Sequence, residues 1–557
     1  MSKRRKRKNR IRSKEQVKTK EPAPAILQRH WPEITILIII LAIAVIRYRL
    51  LSVPLERDEG EYAYMGQLLL QGILPYAEAY NMKFPGIYFA YALVLAIFGQ
   101  THIGIHLALL IINAAAIFLI YLLGKNLFDS LTGVLAGISY GVISLSPWYL
   151  GLWANSEHFV VPFAVGGILL LIKSLQSNKA HLLFWSGILL GLSFAVKQHA
   201  ILFILFAAGY FIVSCLRKDD FSLYNLSKKS GILILGIIIP VGLLLLIFAF
   251  GGTFDKFWFW TFEYASTYVS RLSLSYGLTQ LQNNISPGLQ LNLPIWCTAA
   301  IGLSSPFWDR KARAQWVFNS GFFLASFIAL SLGFYFRRHY FTLLMPSIAL
   351  LSAIGIVALG RIISSSLSPK ISTVILLLTI VATFTYPLFA QKKLLFQLTP
   401  FEVCRTIYSV NPFPESLEIA HYIKKNTSIN DRIVVIGSEP QIYFYTRRRG
   451  ATGYVYTYAL MESHPFALEM QKEMIQEVKE AKPKYMVFVG VPTSWLRTSR
   501  SNSLIFEWLN SYIIKHYEVV GAIDILSLTE TLYLWGEKAK GYTLRSNCNL
   551  SVYKRTK

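Results

Sequence analysis

The chain has 557 residues, of which 54% are hydrophobic, 14% aromatic and only 15% charged, a balance that excludes a disordered chain, a collagen-like fibre and an ordinary soluble enzyme. Lys and Arg number 55 against 30 Asp and Glu, a net charge of +25, yet residues 1–20 alone hold 11 basic residues and one acidic. The positive charge sits in a tail and in short loops between apolar runs, not in a stripe on a water-facing domain, which argues against nucleic-acid binding. Cys215, Cys297, Cys404 and Cys548 show no C-x-x-C spacing, so neither a zinc site nor a disulfide framework is expected, and a Cys404 to Cys548 bridge is the one pairing left open.

Residues 3–20 are a solvated charge run, and residues 1–30 form a basic tail expected on the cytoplasmic side. The apolar stretch Ile34–Ile46 runs into Arg47, Tyr48 and Arg49 and not into a small-residue cleavage site, so it is expected to be an uncleaved anchor extending to about Pro54 with both arginines snorkelling outward. Ten further apolar runs follow, near 103–123, 131–148, 158–172, 182–196, 199–216, 231–250, 287–304, 315–333, 341–360 and 371–390. Together they predict about 11 transmembrane helices over residues 31–390. On this topology the loops on the tail's side hold 12 Lys or Arg, in keeping with the positive-inside rule, and the C-terminal segment falls outside. From 391 to 557 the composition turns mixed, with 22 basic and 15 acidic residues. Strand-like runs at 432–437, 484–490 and 517–526 alternate there with helix-like runs at 416–425 and 465–481, which predicts a small extracytoplasmic α/β domain.

Only 14 acidic residues lie between 21 and 390, and eight of them (Glu56, Asp58, Glu59, Glu61, Glu78, Glu157, Asp255, Glu263) fall on the expected outer side. Four crowd just past the first span, in a loop over 55–102. The segment ERDEGEYAYMGQLLLQGILPY predicts an amphipathic helix lying along the membrane, with Asp58, Glu61 and Tyr62 on one face, Leu68–Leu70 entering lipid and Gly72 ending it. Carboxylates beside lipid are costly unless they work or pair; the bland reading is a solvated loop with Arg57 as counter-ion. Lys83 precedes an aromatic run, Glu157 and His158 open an otherwise uncharged span, Lys197 sits at a turn between spans, and Arg337, Arg338 and His339 occupy another. Snorkelling or capping explains any one of these clusters. Their gathering on one side suits a charged lipid: cations for a phosphate leaving group, a carboxylate for the acceptor's proton, and a hydrophobic groove for a polyprenyl chain.

The ordered set RDEGEYAYMGQLLLQGILPY, KFPGIY, ANSEHF, KQ and RRHYFTLLMP resembles the bacterial branch of the dolichyl-phosphate-mannose protein mannosyltransferase family. That branch is similar to the lipid A aminoarabinose and rhizobial galacturonosyl transferases, all of the C-type glycosyltransferase fold. The resemblance covers roughly residues 30–360, and 432–458 is similar to the outer domain of many bacterial members. It implies a multi-pass protein of the bacterial plasma membrane that inverts a sugar transferred from a polyprenyl-phosphate donor to a glycan, lipid or protein acceptor. Asp58 is then the catalytic base, with Glu59 and Glu157 as further catalytic carboxylates. Lys83, Lys197, Arg337, Arg338, His339, Tyr62 and His158 bind or shape the donor pocket. KFPG stands where many relatives have two prolines after the lysine. Some members use a divalent metal; Asp58, Glu59, Glu157 and His158 offer hard-oxygen or imidazole ligands, though their spacing does not demand one.

Two other classes compete. A transporter or lipid flippase would concentrate ionisable groups near mid-membrane on interrupted helices with related halves, and a polysaccharide ligase or polymerase would use a diphosphate-linked donor. A non-catalytic relative is disfavoured by the Asp-Glu pair.

Overall fold

Short polar side chains start the helices of the N-terminal half. The Thr101 hydroxyl accepts from the Gly104 N–H to open His102–Leu127, and the Asp129 carboxylate accepts from Thr132 to open Ser130–Ile143, each satisfying a donor the first turn leaves free. The computed structural model describes residues 26–219 and 221–556, so the basic run at 3–20 lies outside the described residues. Among the described residues eight helices are long and apolar enough to cross a membrane: Arg29–Arg49, His102–Leu127, Ser156–Ser177, Gln198–Leu216, Leu223–Phe250, Trp316–Phe334, Met345–Ser366 and Pro369–Ala390. The expected spans at 131–148, 182–196 and 287–304 are shorter apolar helices: Ser130–Ile143, Ala180–Val196 and Leu293–Ser304. A fourth, Gly86–Phe98, falls where a loop was expected.

The differences have local causes. Ser130–Ile143 has 14 residues, about 21 Å against a hydrocarbon core of roughly 30 Å, and neighbouring helices bury most of it. The run at 287–304 is broken at Asn292, just before Pro294, and its first part belongs to a separate helix, Leu274–Leu291; proline lacks the N–H that would continue the ladder. The division within 182–216 holds, with a single tight turn at Gln198–Ala200 between two helices. Arg47 does not snorkel. Its guanidinium is buried and donates to the carbonyls of Gly151 at 2.7 Å and Ser144 at 2.8 Å, which the turn after Ser130–Ile143 leaves facing inward. Arg49 is exposed and donates to Leu395 and Leu398 carbonyls.

The C-terminal domain is built on a five-stranded sheet of order β1-β2-β5-β3-β4, with β1 Ile433–Ile436, β2 Tyr485–Val489, β3 Tyr517–Ile525, β4 Thr531–Trp535 and β5 Asn549–Arg555. β1 and β2 run parallel, joined by a crossover containing Ala467–Ala481, and the remaining pairs are antiparallel. Three strands and both helices (Glu415–Lys425 and Ala467–Ala481) match the sequence pattern; β4 and β5 are additional. Cys404 and Cys548 are free thiols.

The helix at Arg57–Leu70 does not lie free along a membrane. It starts with a reciprocal cap between Glu56 and Glu59, stops at Gln71–Gly72, and is buried along most of its length. Gly86–Phe98 packs on one side and the C-terminal domain's Gln441–Thr446 on the other. A Cβ on Gly60 would meet the Gln441 backbone N at 2.6 Å, so only glycine permits this approach. Leu68 is buried and only Leu70 is exposed. Tyr64 stacks on Tyr443 at 5.0 Å and its hydroxyl accepts from the Gly450 N–H at 2.7 Å. Arg57 crosses into the C-terminal domain, donating from Nε to the Ser438 carbonyl at 2.9 Å and from its fork to Glu439 at 2.8 Å. This ion pair is buried on both sides. Arg57→Leu leaves the Glu439 charge uncompensated and is expected to destabilise the protein by about 3–5 kcal/mol, whereas Arg57→Leu with Glu439→Leu should recover most of that loss. A thermal-unfolding cycle in detergent in which the two changes simply add would show that the pair does not hold the halves together.

Candidate functional site

Asp58 stands in the first turn of its helix and faces a cavity of about 330 Å3 between the helix bundle and the C-terminal domain. Its Oδ1 accepts from Lys83 Nζ at 3.0 Å and from the Tyr456 hydroxyl at 3.2 Å. Lys83 belongs to the 71–85 loop, fixed there because the Tyr76 hydroxyl donates to the Lys83 carbonyl at 2.6 Å. The ammonium lies 5.1 Å from the centre of the Tyr62 ring and donates to its hydroxyl at 3.1 Å. Tyr62 is thus the buried floor under Lys83.

A second pair lies behind the first. Glu157, in the first turn of Ser156–Ser177, accepts from Lys197 Nζ at 2.6 Å, and the ammonium rests 4.5 Å from the Tyr340 ring. His339 joins the pairs, its Nε2 being 3.8 Å from Asp58 and 3.9 Å from Glu157. Asp58, Lys83, Arg337, Arg338 and His339 line the cavity, while Glu157 and Lys197 do not. Arg337 is exposed, with its guanidinium 5.3 Å from the Tyr335 ring. Arg338 lies over Trp148 at 4.9 Å and donates to the Ile407 carbonyl at 3.2 Å.

Of the residues singled out from sequence, Lys83 and His339 thus approach Asp58, Arg337 and Arg338 line the same cavity, Tyr62, Glu157 and Lys197 stand behind it, and Glu59 and His158 join neither group. Glu59 is fully buried and turned away: its Oε1 accepts from the Ala154 N–H at 2.5 Å and faces His106 Nε2 at 3.0 Å, and Oε2 receives the Glu56 N–H at 3.3 Å. Its neighbour in sequence therefore occupies a different environment, because adjacent residues on a helix point about 100° apart. His158 is also buried, and its Nε2 has no hydrogen-bond partner. Glu56, Tyr408, Tyr456 and Glu462 line the cavity without having been picked out as site residues. Of the five tyrosines in the 443–458 run, Tyr456 and Tyr458 face the cavity, whereas Tyr443 and Tyr454 are packed in the core.

Burial acts to raise the Asp58 carboxyl, but Lys83, His339 and Lys197 together outweigh it and lower the group to about 2. Burial lowers the His339 ring to about 4, so at neutral pH the ring is uncharged and Lys83 is the cation opposite Asp58. Glu61, fully buried, is pushed up to about 7 by burial although Lys83 acts against it; Tyr88 and Asn81 donate to its oxygens at 2.7 and 2.5 Å. Among the described residues no group of three or more His, Cys, Asp or Glu side chains is arranged to hold a metal ion. The four groups considered for one do not fit it: Asp58 and Glu157 are each paired with a lysine, Glu59 is turned away, and His158 does not line the cavity.

Residues 82–244 match the family model described as dolichyl-phosphate-mannose-protein mannosyltransferase. No curated protein sequence matches the chain. The fold is similar to that of ArnT from Cupriavidus metallidurans bound to undecaprenyl phosphate, with a TM-score of 0.54 and 13% identity, covering 93% of this chain and 97% of that one. It is also similar to the Archaeoglobus fulgidus oligosaccharyltransferase tethered to an acceptor peptide containing the NVT sequon, with a TM-score of 0.51 and 12% identity, covering 92% of this chain and 74% of that one. The likeness to the dolichyl-phosphate-mannose-protein mannosyltransferase model is thus carried by residues 82–244, and the bundle with the C-terminal sheet domain resting on it has the fold of these two solved structures.

Proposed function

We propose that the protein transfers a sugar from a polyprenyl-phosphate donor to an acceptor hydroxyl, at the membrane face opposite the basic tail, with inversion at the anomeric carbon. The observation that carries this reading is the Asp58–Lys83 pair, 3.0 Å apart, in a cavity also lined by Arg337, Arg338 and His339. A carboxylate for the proton and cations for a departing phosphate are what one displacement needs. The structural neighbour that holds undecaprenyl phosphate supports the class of donor.

In the resting pair Asp58 is ionised but weakly basic, because Lys83 stabilises its charge. A donor phosphate entering beside Lys83 shares that positive charge, so the carboxylate becomes more basic when the donor is in place. The acceptor oxygen then bonds to the anomeric carbon as the bond from that carbon to the phosphate oxygen breaks. The hydroxyl proton passes to Asp58, and the electron pair of the broken bond leaves with the lipid phosphate against Lys83 and the exposed Arg337. Glu157 and Lys197 act one layer back, positioning His339 against Asp58. Glu59 serves as a positioning residue, tying the first turn to His106 and Ala154. A transporter reading gains no support, since the paired charges sit at helix ends beside the C-terminal domain and not in mid-span.

Asp58→Asn keeps the shape and removes the base, so turnover with a lipid-linked donor is expected to fall by about 100-fold or more with expression unchanged. Wild-type turnover in that variant, or a product that retains the donor's configuration, would sink the mechanism. Replacing Lys83 by Met removes the cation that does most to hold Asp58 down. Because the folded group lies below its ordinary 3.8, the pair stabilises the protein above that pH and loses its contribution as pH falls through about 2. In Lys83→Met the acid limb of kcat/KM should therefore move upward, and a limb that stays in place would mean another group sets it. For topology, a reporter fused after Lys557 is expected to be active only outside the cytosol; cytosolic activity would put the cavity on the wrong side.

A further inference from the structure

The cavity has a second half that the phosphate chemistry leaves unused. Away from Lys83 and next to Arg337, its wall is formed by the loop helices around 254–269, by the helix Leu274–Leu291 and by the C-terminal domain. Tyr268 and Tyr335 stack face to face at 4.2 Å with their planes 5° apart, and Trp260 lines the same wall. Glu462 reaches in from the C-terminal domain. Its Oε2 is fully engaged, accepting from the Tyr264 hydroxyl and from Arg271, each at 2.6 Å. Its Oε1 has no hydrogen-bond partner among the described residues, and neither does the side-chain amide of Gln280 on the same wall.

Flat aromatic faces beside an unused carboxylate oxygen and an unused amide match the two surfaces of a sugar, apolar C–H faces and a rim of hydroxyls. The Glu462 charge is already balanced by Arg271, so Glu462 itself adds no net charge that would call for a cationic acceptor. None of the cavity-lining residues lies on a strand, so no sheet edge is offered to an extended peptide backbone. Tyr456 connects the wall to the reacting centre, because its ring meets Tyr458 at 4.8 Å while its hydroxyl donates to Asp58.

We infer that this wall is the acceptor subsite and that it takes a neutral carbohydrate, resting on the Tyr268 and Tyr335 rings, with hydroxyls donating to Glu462 and pairing with Gln280. This inference rests on the sugar transfer proposed above and names its acceptor class. A sugar held there would bring a ring hydroxyl past Tyr456 toward Asp58, and the C-terminal domain would select the acceptor through Glu462.

The test uses the full-length protein in nanodiscs, with an array of neutral hexose and N-acetylhexosamine oligosaccharides as probe and undecaprenyl-phosphate binding measured in parallel. Wild type is expected to bind at least one neutral glycan. Tyr335→Ala and Glu462→Gln should weaken that binding tenfold or more and leave undecaprenyl-phosphate binding within twofold, while Tyr335→Phe, which preserves the stack, should retain it. A wild type that binds no neutral glycan, variants that bind as well as wild type, or variants that lose both ligands equally would each overturn the inference. Asp58→Asn separates the two readings. It should keep glycan binding while losing transfer, and an active Asp58→Asn with glycan binding intact would remove the proposed mechanism and leave the subsite standing.

Discussion

Five charged residues fall within Glu56–Glu61, the helix they begin is almost wholly buried, and a buried charge is tolerated only with its own partner. Much of the architecture follows from finding those partners. Arg57 is answered by Glu439 of the C-terminal domain, Asp58 by Lys83 of the following loop, Glu59 by His106 of His102–Leu127, and Glu61 by Asn81 and Tyr88. Glu56 caps the helix with its own side chain. One turn and a half of helix thereby ties together a loop, two apolar helices and a separate sheet domain.

Helical geometry then assigns the roles. Neighbouring side chains radiate in different directions, so Asp58 keeps a face toward the cavity beside Glu56 and Arg57, while Glu59 and Glu61 are consumed in holding the scaffold. The proposed base is thus set in place by side chains turned away from the cavity. Its electrostatics are poised in the same way: burial works against its charge, and Lys83, which favours that charge most, is the cation that the proposed donor phosphate would engage. On the proposed mechanism, binding of the leaving group and readiness of the base are linked through one ammonium group.

The C-terminal domain is part of this machinery and not an appendage. Arg57, Tyr64 and Gln67 reach into it, and in return it supplies Tyr456, Tyr458 and Glu462 to the cavity wall. Burying the Arg57–Glu439 pair seals the contact beside the site, so the cavity exists only while both halves are docked. Within the bundle, close helix crossings such as Gly302 against Gly355 do the corresponding work through small residues, as expected where lipid gives no hydrophobic drive for helices to associate.

The sequence by itself determined the class of the protein and much of its local structure. Long apolar runs announce helices because hydrocarbon leaves a backbone no other way to satisfy its hydrogen bonds. Short apolar, strand-like runs announced β1, β2 and β3, and the crowding of carboxylates after the first span drew attention to Asp58. Motif order placed Lys83 and His339 with it. What the sequence could not decide was direction and distance. Arg47 was expected to reach for water, yet two inward-facing carbonyls take it into the core, and Glu59 stood beside Asp58 on paper yet faces His106. Tyr456 lies 398 positions from Asp58 and donates to it across the domain boundary, a contact that no local periodicity encodes. Spacing along the chain fixes which residues share an element, whereas the partner of each buried charge is settled only when distant elements compete to satisfy it.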